Sequence, residues 1–235
     1  MVSEIVTFGA KDLNIDLPPK AGAAFDAYFS FLERQGSHFN LTAISGADEV
    51  ARLHFLDCLA VLTFTQFKDT KVIDVGSGAG FPGLPLKIAE PSIDLTTLDA
   101  TGKRVTFLSE LCSLIGIDAT CLHARAEDAA FLPELREQFD IALSRAVAEL
   151  NVLCELCLPF VAIGGLFIAM KGLNSDEELL DAHNAIIELG AKISDCINYK
   201  IPGTSITHRA ILIKKVAETP KKYPRRFAAI KRNPL

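Results

Sequence analysis

Apolar side chains in the first part of the chain repeat at helical spacing. In residues 20–36 this apolar face consists of Phe25, Tyr28, Phe29 and Leu32. In residues 47–65 the apolar content consists of Val50, Leu53, Val61 and Phe64. The pattern predicts two amphipathic helices that form a helical cap ahead of the main fold.

From residue 71 onward, short runs rich in β-branched residues alternate with longer segments of helical periodicity. The predicted strands of this part are residues 71–75, 93–98, 119–122, 139–143 and 165–170. A helix is expected after the glycine-rich turn that follows the first strand, and two more at residues 102–115 and 150–161. This alternation predicts a parallel, doubly wound α/β sheet.

The end of the chain departs from the alternation. After a predicted helix at residues 176–189, two strands are expected at residues 193–200 and 209–215. The loop between them, at Pro202 and Gly203, is too short for a crossover, so the two strands must be antiparallel. The sheet is therefore expected to end in an antiparallel pair.

The length of 235 residues suits a single domain, residues 1–235. We divide it into an N-terminal helical cap (1–66), an α/β core (67–215) and a basic C-terminal tail (216–235). No apolar run approaches the roughly 18 residues that a membrane span needs. An acid, Glu4, stands where a secretory signal would carry basic residues. We therefore expect a cytoplasmic protein without a membrane partner.

The net charge of −5 hides a basic C-terminus. Residues 214–235 contain eight Lys and Arg side chains and a single acid, Glu218. A basic tail on an acidic body can bind phosphates locally, and a solvated, partly disordered terminus fits the charge equally well.

Two of the six cysteines, Cys154 and Cys157, form a C-x-x-C pair in a leucine-rich segment. A structural zinc site usually needs four ligands, and no second pair lies at a suitable spacing. We therefore expect packed thiols and no metal site.

A glycine-rich segment, residues 76–80, lies between the first predicted strand and a helix. Ligands of open parallel sheets bind beyond the carboxyl ends of the strands, where glycines let a ligand approach the backbone. Residues 78–83 also match the dinucleotide pattern G-x-G-x-x-G, which is weak evidence alone. Asp99, one βα unit further on, could hold the ribose hydroxyls of either cofactor class.

Two features favour S-adenosylmethionine over a dinucleotide. Asp74 precedes the loop, where an acid can bond the ammonium of a methionine moiety. The terminal antiparallel pair is typical of class I S-adenosylmethionine-dependent methyltransferases, whereas a dinucleotide-binding domain normally ends in a parallel strand. The predicted fold is therefore this Rossmann-like class, with S-adenosylmethionine as cofactor.

The chain resembles the GidB/RsmG family of bacterial methyltransferases, which modify N7 of a guanine in the 530 loop of 16S ribosomal RNA. The matching motifs are, in order, residues 40–42, 52–57, 72–83, 98–100, 102–104, 125–127, 144–146, 170–172 and 208–209. The resemblance implies this activity, with 16S ribosomal RNA, the 30S subunit or its assembly intermediate as partner. We expect the enzyme to act as a monomer.

The resemblance also implies which residues meet the cofactor. Those at the loop would be Gly76, Gly78, Gly80 and Phe81, besides Asp74. Asp99 would hold the ribose, while Ala126 and Glu127 would border the adenine. Arg145, at the end of the fourth strand, would face the methyl end of the cofactor or the incoming base.

The remaining candidates concern the RNA and the entrance to the site. Arg145, Lys171 and Arg209 are expected at the carboxyl edge of the sheet, where they could bind RNA; each could instead be an ordinary surface cation. Asn40 and His54 are expected at the entrance.

His54 and Asp57 lie three positions apart and share one helical face. A His–Asp hydrogen bond that holds the cap to the core explains this pair as well as a role near the active site does.

Guanine N7 carries a lone pair and no proton, so methyl transfer needs alignment of the reactants rather than a general base. The absence of an obvious nucleophile or base in the sequence agrees with this chemistry. Three alternatives stay open from the residues alone: a nicotinamide-dependent oxidoreductase, a non-catalytic RNA-binding or ribosome-assembly factor, and a methyltransferase of small molecules or proteins.

Overall fold

The structure, a computed structural model, describes residues 1–39, 44–145 and 148–235. Its strands form one sheet in the order β3-β2-β1-β4-β5-β7-β6. The strands are β1 Lys71–Val75, β2 Asp94–Asp99, β3 Thr120–His123, β4 Phe139–Arg145, β5 Val161–Gly172, β6 Ala191–Lys200 and β7 Thr207–Lys215. Neighbours from β3 to β5 are parallel, and β7 is antiparallel to β5 and β6. The predicted α/β sheet with a terminal antiparallel pair is confirmed.

Helices cover both faces of this sheet. They are α1 Val2–Asp12, α2 Ala21–Phe39, α3 Ala47–Val50, α4 Asp57–Ala60, α5 Gly83–Ala89, α6 Gly102–Ile115, α7 Ala126–Ala129, α8 Leu150–Cys157, α9 Asp176–Asp181, α10 His183–Glu188 and α11 Phe227–Arg232. A π-helical turn, Ala51–Leu56, joins α3 to α4, and 3-10 turns follow α4 and α8. Within the described ranges, no helix combines the length and apolarity of a membrane span.

Alternating strand side chains fill a hydrophobic core on each face of the sheet. In β4, Ile141 and Leu143 face the core shared with α1, α2, α5 and α6. Ala142, between them, faces the core shared with α8 and α10. The cap helices thus pack on one face of the sheet and bring their residues to the ends of its strands.

The structure departs from the predicted elements in several places, of which three concern the two ends of the chain and the segment before β6. Helix α1 was not predicted, although it buries Val2 and Val6. The single helix predicted at residues 176–189 is two helices that meet at Ala182. The C-terminal tail packs against the rest of the protein, because Ile230 of α11 is buried in the core beneath α8.

Candidate active site

A cavity of about 540 Å³ opens where the carboxyl ends of β1 to β4 meet. This is the edge at which ligands of open α/β sheets bind. The residues that line it are His54, Val75, Gly76, Ser77, Gly78, Ala79, Phe81, Leu98, Asp99, Ala100, Thr101, Arg104, Ala124, Arg125, Ala126, Glu127, Arg145, Leu156 and Phe227. Most of the predicted cofactor residues are therefore brought together in one place.

The glycines of the loop serve different purposes. Gly78 has φ +57°, and a side chain added there would meet no atom closer than 3.9 Å, so its backbone faces open space in the cavity. Gly80 has φ +100°, and a Cβ there would lie 2.6 Å from Leu84 and 2.7 Å from the Tyr28 hydroxyl. Gly80 therefore allows the loop to pack on the protein and does not line the cavity, unlike Gly76 and Gly78.

Asp99 is an acidic residue of the cavity wall, as is Glu127. Asp99 is nearly buried, and its carboxylate accepts hydrogen bonds from the backbone N–H groups of Gly78 at 3.0 Å and Thr101 at 2.8 Å. Arg104 lies 3.5 Å from the same carboxylate. Oδ1 of Asp99, which accepts from Thr101 alone among these donors, has a further lone pair that can accept a hydroxyl of a ligand.

Asp74 lies beneath the loop and is not among the cavity-lining residues. Its Oδ2 accepts a hydrogen bond from the backbone of Gly83 at 2.9 Å, at the start of α5. Among the described residues, its Oδ1 is the one buried side-chain oxygen or nitrogen that has no hydrogen-bond partner. Burial raises the pKa of Asp74 to about 7. Its contact with a cofactor stays a prediction.

Three structural elements form the far end of the cavity. Ala126 and Glu127 lie at the start of α7, directly after β3. Helix α8 contacts both α7 and α11, and Leu156 of α8 and Phe227 of α11 also line the cavity. Phe227 was not predicted, because nothing in the local sequence indicates that the tail returns to the cavity.

At the near end, Arg145 joins the cap to the sheet. Its Nη1 donates to Asp57 at 3.1 Å and to the Leu53 carbonyl at 3.3 Å, and its Nη2 lies 3.0 Å from Nδ1 of His54. Its guanidinium also lies 4.9 Å from the centre of the Phe81 ring. His54 and Asp57 are therefore linked through Arg145, so they tie the cap to the core beside the cavity.

His54 has a lowered pKa, which agrees with its contact with Arg145. Burial, assisted by the charge of Arg145, lowers the pKa of His54 to about 3. Because arginine can only donate hydrogen bonds, the neutral ring accepts at Nδ1.

Asp57 is a buried carboxylate with several donors. Besides Arg145, the Tyr199 hydroxyl and Nδ1 of His208 each lie 2.8 Å from its Oδ1. Burial alone would raise the pKa of Asp57, but the hydrogen bond from His208 and the charge of Arg145 bring that pKa below its usual value. His208 belongs to a quoted family motif, whereas no sequence signal indicated Tyr199 for this contact.

Lys171 and Arg209 lie opposite each other on β5 and β7, outside the cavity. Lys171 contacts the Ala148 carbonyl at 2.6 Å and Glu178 at 2.5 Å. Arg209 contacts Asp176 at 2.5 Å. Both cations are mostly buried and paired with acids. Asn40, the remaining predicted site residue, lies outside the described residues.

The cysteine pair is packed in the core. Cys154 and Cys157 are fully buried on α8, and burial raises the pKa of both thiols. In the part of the chain that the structure describes, no group of three or more His, Cys, Asp or Glu side chains could hold a metal ion.

The sequence matches known proteins along most of its length. The family model described as GidB, rRNA small subunit methyltransferase G, matches residues 22–206. Ribosomal RNA small subunit methyltransferase G of Clostridium beijerinckii is 42% identical over 234 residues, covering 99% of this chain and 98% of that protein.

Solved structures match the fold. A SAM-dependent methyltransferase from Aquifex aeolicus matches with a TM-score of 0.52 and 15% identity, covering 70% of this chain and 92% of that one. A ribosomal protein L11 methylase from Lactobacillus delbrueckii matches with a TM-score of 0.52 and 17% identity, covering 74% and 81%. At this identity the likeness concerns the fold alone, which is the class I methyltransferase fold.

Proposed function

The chain belongs to the rRNA small subunit methyltransferase G family, and from this we propose that it methylates N7 of a guanine in the 530 loop of 16S ribosomal RNA. S-adenosylmethionine is the cofactor of this methyltransferase class. The observation that carries the proposal is the cavity, which has the Gly78 backbone and Asp99 on one wall and a fixed cation, Arg145, at one end. We take the protein to act as a cytoplasmic monomer on the 30S subunit, its assembly intermediate or the RNA itself.

The residues of the cavity fit the groups of S-adenosylmethionine. Oδ1 of Asp99 has a lone pair available for a ribose hydroxyl, and Gly78 leaves room beside its backbone. Asp74 is fully buried under the loop, so the predicted bond from the ammonium group to its unpaired Oδ1 would require the loop to move. Ala126 and Glu127 are assigned to the adenine, at the end opposite Arg145.

The groups at the near end suit a reaction that needs no base. The bound cofactor supplies a methyl group on a sulfonium, and N7 of guanine offers a lone pair without a proton to remove. Arg145 uses three of its five N–H groups on Asp57, Leu53 and His54. The other two can donate to O6 of the base or to a phosphate, which orients N7 toward the methyl group.

Lys171 and Arg209 were predicted to contact RNA, but both are paired with acidic residues of the protein, so we revise this assignment. Their partners are Glu178 and Asp176 of α9, and Lys171 also donates to the Ala148 carbonyl just before α8. We therefore assign both cations to shaping the carboxyl edge of the sheet. Contact with RNA phosphates is assigned instead to exposed cations of the tail. These are Lys221, Arg226, Lys231 and Arg232, none of which pairs with an acid in the described chain.

The test is methyl transfer to small subunits that lack the modification, with labelled cofactor. Borohydride–aniline cleavage should map one N7-methylguanine to the 530 loop. Arg145→Ala should abolish transfer while the protein stays folded, because Asp57 retains two donors; Arg145→Lys is the charge-preserving control. Cofactor binding without any transfer would favour a non-catalytic RNA-binding factor, and near-normal turnover of Arg145→Ala would remove Arg145 from the site.

A further inference from the structure

The C-terminal segment crosses the molecule from the side where the parallel strands begin to the side where they end. It leaves β7 at Lys215, on the edge where the parallel strands begin, and Val216 and Ala217 donate backbone hydrogen bonds to Gly190. Arg136 then donates to the carbonyls of Thr219 at 2.9 Å and Tyr223 at 3.0 Å. The segment ends in α11, which packs on α8 beside the cavity.

A buried ion pair fixes the segment just before it reaches the cavity. Glu155 of α8 is fully buried, and Arg225 meets both of its oxygens, from Nε at 2.9 Å and Nη2 at 2.6 Å. The backbone N–H of Arg225 donates to the same carboxylate at 2.7 Å. A bidentate contact to a buried carboxylate defines the position of the residue as well as its charge. Phe227 lies two residues further on.

Phe227 is the aromatic side chain that the tail adds to the cavity wall. It is 36% exposed and lines the cavity with Leu156 of α8, the helix that contacts both α11 and α7, where Ala126 and Glu127 lie. Its neighbour in α11, Ile230, is fully buried. The segment thus anchors itself through Ile230 and presents Phe227 to the cavity rather than to the core.

We propose that Phe227 is a cofactor-binding residue whose ring covers the adenine of S-adenosylmethionine, with Arg225 and Glu155 as the pair that positions it. The inference rests on the proposed function, which assigns the adenine to the Ala126–Glu127 end. An aromatic ring stacks on a base because both have polarisable flat faces, and this contact strengthens binding by about tenfold or more. Because the contact between Phe227 and the adenine forms only with the tail folded, cofactor binding should also stabilise the folded tail.

The chain contains no tryptophan, so Phe227→Trp places a single fluorophore at the proposed contact. Titration with S-adenosylmethionine should quench or shift its emission, excited where tyrosine does not absorb. Phe8→Trp is the matched control, because Phe8 is 71% exposed on α1 and does not line the cavity. Its emission should not respond.

Calorimetry on the intact chain gives the second measurement. Phe227→Ala should weaken S-adenosylmethionine binding about tenfold, with little change in unfolding free energy. Glu155→Gln should also weaken S-adenosylmethionine binding, because it removes the partner of Arg225 that positions Phe227. The Glu155→Gln/Phe227→Ala double variant should therefore lose no more affinity than the weaker-binding single variant. A wild-type Kd in Phe227→Ala, or silent emission from Phe227→Trp while calorimetry detects binding, would overturn this inference alone. No binding by the wild-type protein would overturn the proposed function itself.

Discussion

Asp57 concentrates the interactions between the cap and the sheet. A carboxylate that is 1% exposed would be costly alone, yet Asp57 accepts hydrogen bonds from Arg145 of β4, Tyr199 of β6 and His208 of β7. Removing one donor leaves the charge partly unsatisfied, which costs more than the lost contact is worth in isolation. The same carboxylate holds Arg145 at the cavity, so the fold and the site depend on one residue.

The His208–Asp57 contact should make stability depend on pH. The hydrogen bond to Asp57 raises the pKa of His208, against burial and the charge of Arg145. A raised pKa in the folded state means that the stabilisation is complete below the unfolded value of about 6.5 and declines as pH rises through the folded value. We expect His208→Gln to cost about 1 kcal/mol in urea unfolding near pH 6, and less at higher pH.

Tyr199→Phe is the matched control for this prediction. Its hydroxyl donates to the same oxygen over the same distance of 2.8 Å. Burial and Asp57 raise the pKa of Tyr199 well above its usual value, so the hydroxyl stays protonated throughout the range. Its loss should therefore cost the same at each pH. If the cost of His208→Gln were equally independent of pH, the charged contact would be excluded.

The sequence indicates the polar residues of the site better than it indicates their partners. Asp99 and Arg145 were expected where they are found, because a residue at the end of a parallel strand must lie at the carboxyl edge. The link from Asp57 to Tyr199 spans 142 positions of the chain. Periodicity reports only neighbours three or four positions apart, so it indicated His54 with Asp57 and could not indicate Arg145 between them.

At the scale of elements, two glycines of the loop have different roles: Gly80 allows the loop to pack, and Gly78 leaves room for the cofactor. Gly80→Ala should reduce the unfolding free energy by about 2–4 kcal/mol, because its Cβ would overlap Leu84 and the Tyr28 hydroxyl at a strained φ. Gly78→Ala should cost only about 1 kcal/mol for its left-handed backbone. Its methyl group would enter the cavity and weaken S-adenosylmethionine binding by about tenfold or more.

Urea unfolding and calorimetric titration of both variants check this pair. Each residue serves as the control for the other, since the substitution is the same and the positions are two apart. Equal losses of stability, or a wild-type cofactor Kd in Gly78→Ala, would contradict the division.

Elements with a strong local signal were predicted closely, and those set by packing were not. Helix α6 has the predicted bounds, residues 102–115, because its apolar spacing and the glycine after it, Gly116 with φ +69°, both mark it locally. Helix α11 has six residues, and its burial depends on Ile230 reaching a core formed by distant elements. Such an element has no pattern of its own long enough to detect.

At the scale of the whole molecule, the tail's charges divide into those the fold uses and those it leaves exposed. Lys222 and Arg225 pair with Glu188 and Glu155, and Lys215, at the end of β7 just before the tail, pairs with Glu137. Truncation of the tail would therefore leave Glu155 buried without its arginine, and a loss of RNA binding could then reflect misfolding. The exposed cations have to be tested by substitution within the intact chain.

We expect the glutamine variant of the four exposed tail cations to bind ribosomal RNA more weakly and with a flatter salt dependence. The substituted residues are Lys221, Arg226, Lys231 and Arg232. If each contacts one phosphate of single-stranded RNA, the slope of log K against log salt should fall by up to about 3, since each contributes roughly 0.7. Cofactor affinity should be unchanged, because none of the four lines the cavity.

A second glutamine variant separates position from charge. It replaces four lysines at the opposite edge, where the parallel strands begin: Lys68, Lys71, Lys192 and Lys214. Both variants lower the net charge equally, so a general attraction to RNA would weaken equally in both. A slope that falls only in the tail variant assigns the phosphates to the segment that carries Phe227 to the cavity. If the slope of log K against log salt were equal in the two variants, the exposed tail cations would not be the phosphate contacts, and the role of the tail would be structural.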